Sequence, residues 1–156
     1  MYKIETNAER VLQRLMATIS GAENDLQENL AEAAHDALAL IAHRIQQNGK
    51  GQNGQALRTK SAKRLGAYSR GYGKKRTERG RQTDRVDFTN SGDMFNEWKV
   101  LSSEPRQATG GFATQEAADR AEYLEAYFGP SFGPSNDERE AVTDGFKDRL
   151  HVKLKQ

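Results

Sequence analysis

"AENDLQENLAEAAHDALALIAHRIQQ", residues 22–47, is the most regular stretch of the chain. Leu26, Leu30, Ala34 or Ala37, Leu38, Ile41 and Ile45 return at three- and four-residue steps, the spacing that lines one face of an α-helix. Asn48-Gly49 supplies the stop, since both residues accept the left-handed backbone that closes a helix. At 1.5 Å per residue such a helix spans roughly 35–40 Å, long for a chain of 156 residues. Upstream, Val11, Leu15 and Ile19 predict a shorter helix over 8–19, with Ser20-Gly21 interrupting between the two.

The character changes after the long helix. Among residues 49–85 only Leu57 and Leu65 belong to the Leu/Ile/Val/Phe set, so this segment reads as a polar insertion. Regular patterning resumes with "VDFTNSGDMFNEW" (86–98), where Asn90 or Ser91 can cap a short helix and Met94, Phe95 and Trp98 give it an apolar side. "KVLSSEPRQATGGFA" (99–113) predicts a β-hairpin with its turn near Glu104-Pro105 and a bend or bulge at Gly110-Gly111. Thr114 is a fair cap for a helix over 115–128 carrying Ala117, Ala121, Leu124 and Phe128. "GPSFGPS" (129–135) breaks it. Ser135 with Glu138 forms a capping box for a last helix with Val142, Phe146, Leu150 and Leu154. The expectation is one α+β domain over 1–156. A helical N-terminal segment (1–48) and C-terminal helices pack on a small antiparallel sheet, and a flexible basic loop spans 49–85.

Composition narrows the function classes. Leu, Ile, Val and Phe make up 27 of the 156 residues, a lean core whose stability would gain from oligomerisation or docking. The absence of cysteine excludes a disulfide scaffold, a zinc–thiolate centre and a cysteine nucleophile. No apolar run approaches the ~20 residues of a membrane span, and "MYKIETNAER" lacks the apolar core of a signal peptide. A soluble chain made in a cytoplasm, without a membrane partner, is expected.

The net charge of +2 hides an asymmetry. Eleven basic residues between Arg58 and Arg85 face only Glu78 and Asp84, a local +9, so the remainder carries −7. "AYSRGYGKKRTERGRQTDR" (67–85) is the centre of this run. Its arginines and lysines could neutralise phosphates while Tyr68 and Tyr72 stack on bases. Equally it could be a solvated loop that keeps a lean protein soluble. A third arrangement puts Tyr68 and Tyr72, four apart, on one face of a short helix anchored to the core.

No catalytic constellation emerges. "GKGQNG" (49–54) spells G-x-G-x-x-G, but a helix precedes it where a dinucleotide-binding turn needs a strand, so it reads as a flexible connector. His35 and His43 are too far apart on one helix to share a metal ion, and His151 stands alone. No enzyme, metal or cofactor is expected.

Taken together, two segments resemble the central signature of a tailed-phage virion morphogenesis family, the neck or tail-completion proteins that include minor tail protein Z-like members. Tyr68, Ser69, Tyr72 and Lys74 match its tyrosine-serine-x-x-tyrosine stretch with lysines. Phe88, Thr89, Ser91, Gly92 and Met94 match the following segment, and Trp98 and Val100 enter the next strand. "ADRAEYLEAYFGPSFGPSNDERE" (118–140) is similar to the family's closing pattern, with Glu138 its conspicuous glutamate. The resemblance covers roughly 57–150. It implies a structural virion protein at the head–tail junction, working as a homo-oligomeric ring around the DNA channel. Portal, adaptor or tail proteins would be its neighbours, with non-specific contact to packaged DNA; the alternative is a small nucleic-acid-binding protein using 58–85. On this reading Arg70, Lys74, Lys75, Arg76, Arg79 and Arg81 lie on an exposed, assembly-facing loop. Tyr68, Tyr72, Phe88, Ser91, Gly92, Met94 and Trp98 anchor it, together with Phe95.

Overall fold

The computed structural model describes residues 8–59 and 67–154. Lys60, Lys63, Arg64 and Leu65 of the expected insertion lie outside it, as do the side chains of Val11 and Leu154. The fold is α+β, as the pattern of periods suggests: α1 (Ala8–Asn48), α2 (Arg70–Glu78), α3 (Asp93–Asn96), β1 (Trp98–Glu104), β2 (Gln107–Phe112), α4 (Gln115–Phe128) and α5 (Asn136–Leu154).

The expected break at Ser20-Gly21 does not occur. α1 runs through it as one helix of 41 residues, about 60 Å long. A single glycine inside a helix costs only ~1 kcal/mol relative to alanine, and the good helix formers on both sides outweigh that. Gly49 ends the helix as expected, with φ +58° and its N–H donating to the Ile45 carbonyl at 3.0 Å.

Only the C-terminal half of α1 belongs to the body. It packs against α5 and both strands of the hairpin. β1 and β2 pair antiparallel, Trp98 opposite Phe112 and Glu104 opposite Gln107. The register shifts between Val100 and Ser102, so the irregularity sits at Leu101 rather than at the expected Gly110-Gly111. Gly110 serves a different need. A β-carbon there would lie 2.9–3.1 Å from the Leu38 side chain, so the missing side chain lets β2 approach α1 closely. Gln27 ties the hairpin down further, its amide donating to the Ser103 carbonyl at 2.7 Å.

The core is small. Ile41, Ile45, Leu57, Ala67, Tyr68 and Val86 form its buried centre, with Phe88, Phe95, Trp98, Phe128 and Phe132 packed against it. Phe132 is the hub of the aromatic cluster: its ring lies 5.1–6.3 Å from those of Phe88, Phe95, Trp98 and Phe112. Such tilted ring pairs stabilise beyond their area burial. Trp98 also donates its indole N–H to the Leu38 carbonyl at 3.0 Å.

One buried ion pair fastens the far end. Arg44 on α1 bonds Glu138 in the first turn of α5 at 2.8 Å, and donates to the carbonyls of Lys50, Ser131 and Gly133. Glu138 simultaneously completes the expected capping box: Ser135 N–H donates to its carboxylate at 2.7 Å, and its own N–H donates to the Ser135 hydroxyl at 3.2 Å. "GKGQNG" is therefore no loose connector. Gly51 N–H bonds the Gln55 carbonyl, Gln52 N–H bonds the Pro130 carbonyl, and the turn is docked on 130–134.

Two outcomes check this packing. Trp98→Ala should lower unfolding free energy by roughly 3–5 kcal/mol in a denaturant titration, as truncating a packed aromatic does. An unchanged midpoint would contradict it. Gly21→Ala, at a site with open space around it, should slow amide exchange over residues 12–20. Faster exchange there would mean that the helix needs a break at Gly21.

Candidate functional site

α2 is an unpromising helix by propensity. "RGYGKKRTE" holds two glycines, no aliphatic residue and four basic side chains. What holds it is tertiary. Tyr68, Tyr72 and Arg76 follow one another at steps of four and turn the same way, so that the two rings and the guanidinium meet, with Tyr68 and Arg76 buried. The rings of Tyr68 and Tyr72 meet edge-on at 5.4 Å.

Arg76 is the correction to the expected exposed loop: it is only 3% exposed. Its guanidinium donates to both Asp87 carboxylate oxygens at 3.2 Å, to the Thr89 carbonyl at 2.7 Å and to the Gln82 carbonyl at 2.9 Å. It also stacks over the Tyr68 ring at 4.5 Å. Asp87, itself buried, accepts in addition from the Tyr68 hydroxyl at 3.1 Å, the Gln82 amide at 2.6 Å and the Thr89 N–H at 2.9 Å. A buried charge is tolerable only when paired and fully bonded, and here both partners are. Burial pushes the Tyr68 phenol well above the usual tyrosine range.

The other basic residues divide. Arg81 bonds the Asn90 side chain and is half-buried, and Arg85 donates to the Gln46 carbonyl at 2.8 Å. Arg70, Lys74, Lys75 and Arg79 face solvent. The expected six-residue basic surface is thus reduced to these four exposed cations.

The anchors behave less uniformly than expected. Tyr68 and Met94 are buried, Phe88 and Trp98 half-buried, while Tyr72 is 39% exposed. Phe88 takes φ +53°, an uncommon conformation for a bulky residue. It is offset by ring contacts to Phe128 at 5.2 Å and Phe132 at 5.5 Å. The cap of α3 is not Asn90 or Ser91 but Gly92, whose φ of +94° suits glycine. Ser91 instead donates to the Asp93 carboxylate at 2.5 Å.

Between this network and α4 lies an open groove of about 900 Å³. Val86, Phe88, Met94, Leu124 and Phe128 give it an apolar lining, beside Tyr72 and Tyr123, the acidic Asp93, Glu116 and Asp119, and the basic Arg76 and Arg120. The motif residues Tyr68, Tyr72, Phe88, Ser91, Gly92 and Met94 all border it, whereas Trp98 lies under the hairpin. Among the described residues no group of three His, Cys, Asp or Glu side chains converges to hold a metal ion, and no helix is long and apolar enough to cross a membrane. The arrangement offers a recess for apolar side chains with charged residues beside it.

A second surface does not follow from the sequence pattern. The N-terminal stretch of α1 leaves the body, with residues 12–25 all exposed. Leu12, Leu15, Met16 and Ile19 lie on one stripe there and are 50–59% exposed. Their spacing is legible in the sequence, but it predicts a packed helix. Compared with protein-family models, curated proteins and solved structures, the chain matches none.

Asp87→Ala, which strands the Arg76 charge in the interior, should cost about 3–5 kcal/mol in a denaturant titration. A loss within the scatter of surface substitutions would contradict the latch. Tyr68 adds a pH signature. Its phenol ionises more readily in the unfolded chain, so the stability it contributes is complete below about pH 10 and lost as pH rises beyond that. Alkaline unfolding should therefore be steeper in the natural chain than in Tyr68→Phe, and equal slopes would contradict it.

Proposed function

We propose that this chain is a structural assembly protein of the tailed-phage head–tail junction, acting as several copies in a ring around the DNA channel. The observation that carries the proposal is the exposed apolar stripe on the arm of α1. Four large apolar side chains, each half or more exposed, line a stretch of helix that no other described residue covers. Contiguous apolar surface of this kind marks an interaction site.

Two further features support the reading. The residues that carry the resemblance, from Tyr68 to Met94, gather around one groove instead of scattering over the surface. Within residues 67–85 the basic segment is also drawn into the body at Arg76 and Arg85, with Arg70, Lys74, Lys75 and Arg79 facing outward. In a ring those four would sit beside packaged DNA without needing affinity as single copies. The lean core fits as well, since association adds to the stability of each copy.

Sedimentation velocity across a wide concentration range tests the proposal. The natural chain should grow from monomer into a discrete larger species as concentration rises. Met16→Asp, at an exposed position and so harmless to the fold, should shift that transition to at least tenfold higher concentration. A monomer at every soluble concentration would overturn the self-assembling reading.

A further inference from the structure

Gln-Asn-Gly occurs twice in this chain, at 47–49 and again at 52–54. An asparagine followed by glycine readily loses its side-chain amide, because glycine puts no side chain in the way of its own nitrogen. We infer that the fold silences the first step and leaves the second open, so that Asn53 is a site of spontaneous conversion to aspartate and isoaspartate.

The chemistry needs only water. The main-chain nitrogen of Gly54 gives up its proton and attacks the carbonyl carbon of the Asn53 side chain. A carbon–nitrogen bond closes a succinimide ring, and the side-chain nitrogen leaves as ammonia. Water then opens the ring at one of its carbonyls. Opening at the side-chain carbonyl gives aspartate. Opening at the main-chain carbonyl gives isoaspartate, whose main chain runs through the β-carbon and is one methylene longer.

The attack requires the asparagine backbone to swing until the following nitrogen faces its side chain, so each site reacts as readily as its surroundings let it open. Asn48 is the last residue of α1. Gly49 after it is buried, its N–H donating to the Ile45 carbonyl at 3.0 Å and its carbonyl accepting from the Leu57 N–H at 2.8 Å. The Arg85 β-carbon lies 2.8 Å from where a Gly49 β-carbon would stand. Swinging the chain there undoes the end of the helix and unseats Gly49 from the body.

Asn53 and Gly54 are instead the exposed tip of a turn. The Gly54 N–H reaches back to the Gly51 carbonyl at 3.0 Å, and the Asn53 N–H donates to the Gln55 side chain at 3.0 Å. Both bonds lie at the surface, where opening costs least. No described atom lies within 4 Å of the position a Gly54 β-carbon would take, so the ring has room.

The flanks of the tip are docked. Gln52 donates through its main chain to the Pro130 carbonyl at 2.8 Å and through its side chain to the Pro134 carbonyl at 3.1 Å. The Gln55 amide donates to the Pro130 carbonyl at 3.3 Å. An extra methylene between these two glutamines lengthens the turn beside the Ser131 and Gly133 carbonyls that hold Arg44. Isoaspartate therefore loosens the clasp between α1 and α5, whereas aspartate adds an exposed charge and leaves the main chain as it was.

Trypsin separates the two steps, since Lys50 lies between them. The full-length chain is incubated at mildly alkaline pH, in buffer and in parallel in concentrated guanidinium, and the amide-to-acid mass gain is followed in each peptide. The expected result is conversion at Asn53 at least tenfold faster than at Asn48 in the folded chain, with the two rates converging in guanidinium. The isoaspartate form, separated by ion exchange, should unfold at lower denaturant concentration than Asn53→Asp. Equal rates at the two steps in the folded chain would overturn the inference, as would an Asn53 that converts in guanidinium and not in buffer. Coincident unfolding of the isoaspartate form and Asn53→Asp would overturn the coupling to the clasp.

Discussion

The buried Arg76–Asp87 pair is the contact on which the middle of this protein depends. Residues 67–95 contain almost no aliphatic side chains, and α2 has little helical propensity of its own. Arg76 supplies what hydrophobic burial cannot. One guanidinium gathers α2, the Gln82 turn, the extended segment at Asp87 and Thr89, and lies flat on Tyr68. Replacing such a pair with apolar residues is often neutral, but removing one partner is not. The network fixes an arrangement as well as a stability, and it is that arrangement which forms one wall of the groove.

α1 sets the second constraint. Its body-facing half organises α5 and the hairpin, and the same rigid rod carries an apolar stripe out into solvent. Core and arm are therefore mechanically continuous. In the proposed assembly a neighbour that holds the arm would act on the packing of the body through an unbroken helix. A small core with Phe132 at its aromatic hub is the kind of fold that benefits from such support.

Much of this is legible in the residues. The stripe from Leu26 to Ile45, the Gly49 stop, the Thr114 cap and the Ser135–Glu138 capping box each have a local cause and appear where that cause puts them. What stays hidden is non-local. Arg76 follows Tyr68 and Tyr72 at the same four-residue step, yet as a cation it reads as solvent-facing; its burial is decided by Asp87, eleven residues on. Arg44 is likewise unremarkable until Glu138 arrives 94 residues later. Phe132 sits inside a turn motif and reads as punctuation. Gly21 reads as a breaker unless neighbouring propensity is summed across it. The groove needs all of these contacts before it exists.

Whether the basic segment belongs to the body or is a nucleic-acid hook is the question on which the account turns. Fluorescence anisotropy of a short labelled duplex, titrated with the full chain at low and at physiological salt, answers it. With Arg76 and Arg85 engaged internally, and Arg70, Lys74, Lys75 and Arg79 the exposed cations of residues 67–85, binding should be weak at low salt and vanish at physiological salt. Submicromolar binding that survives physiological salt would contradict the account and make residues 67–85 a binding surface in their own right.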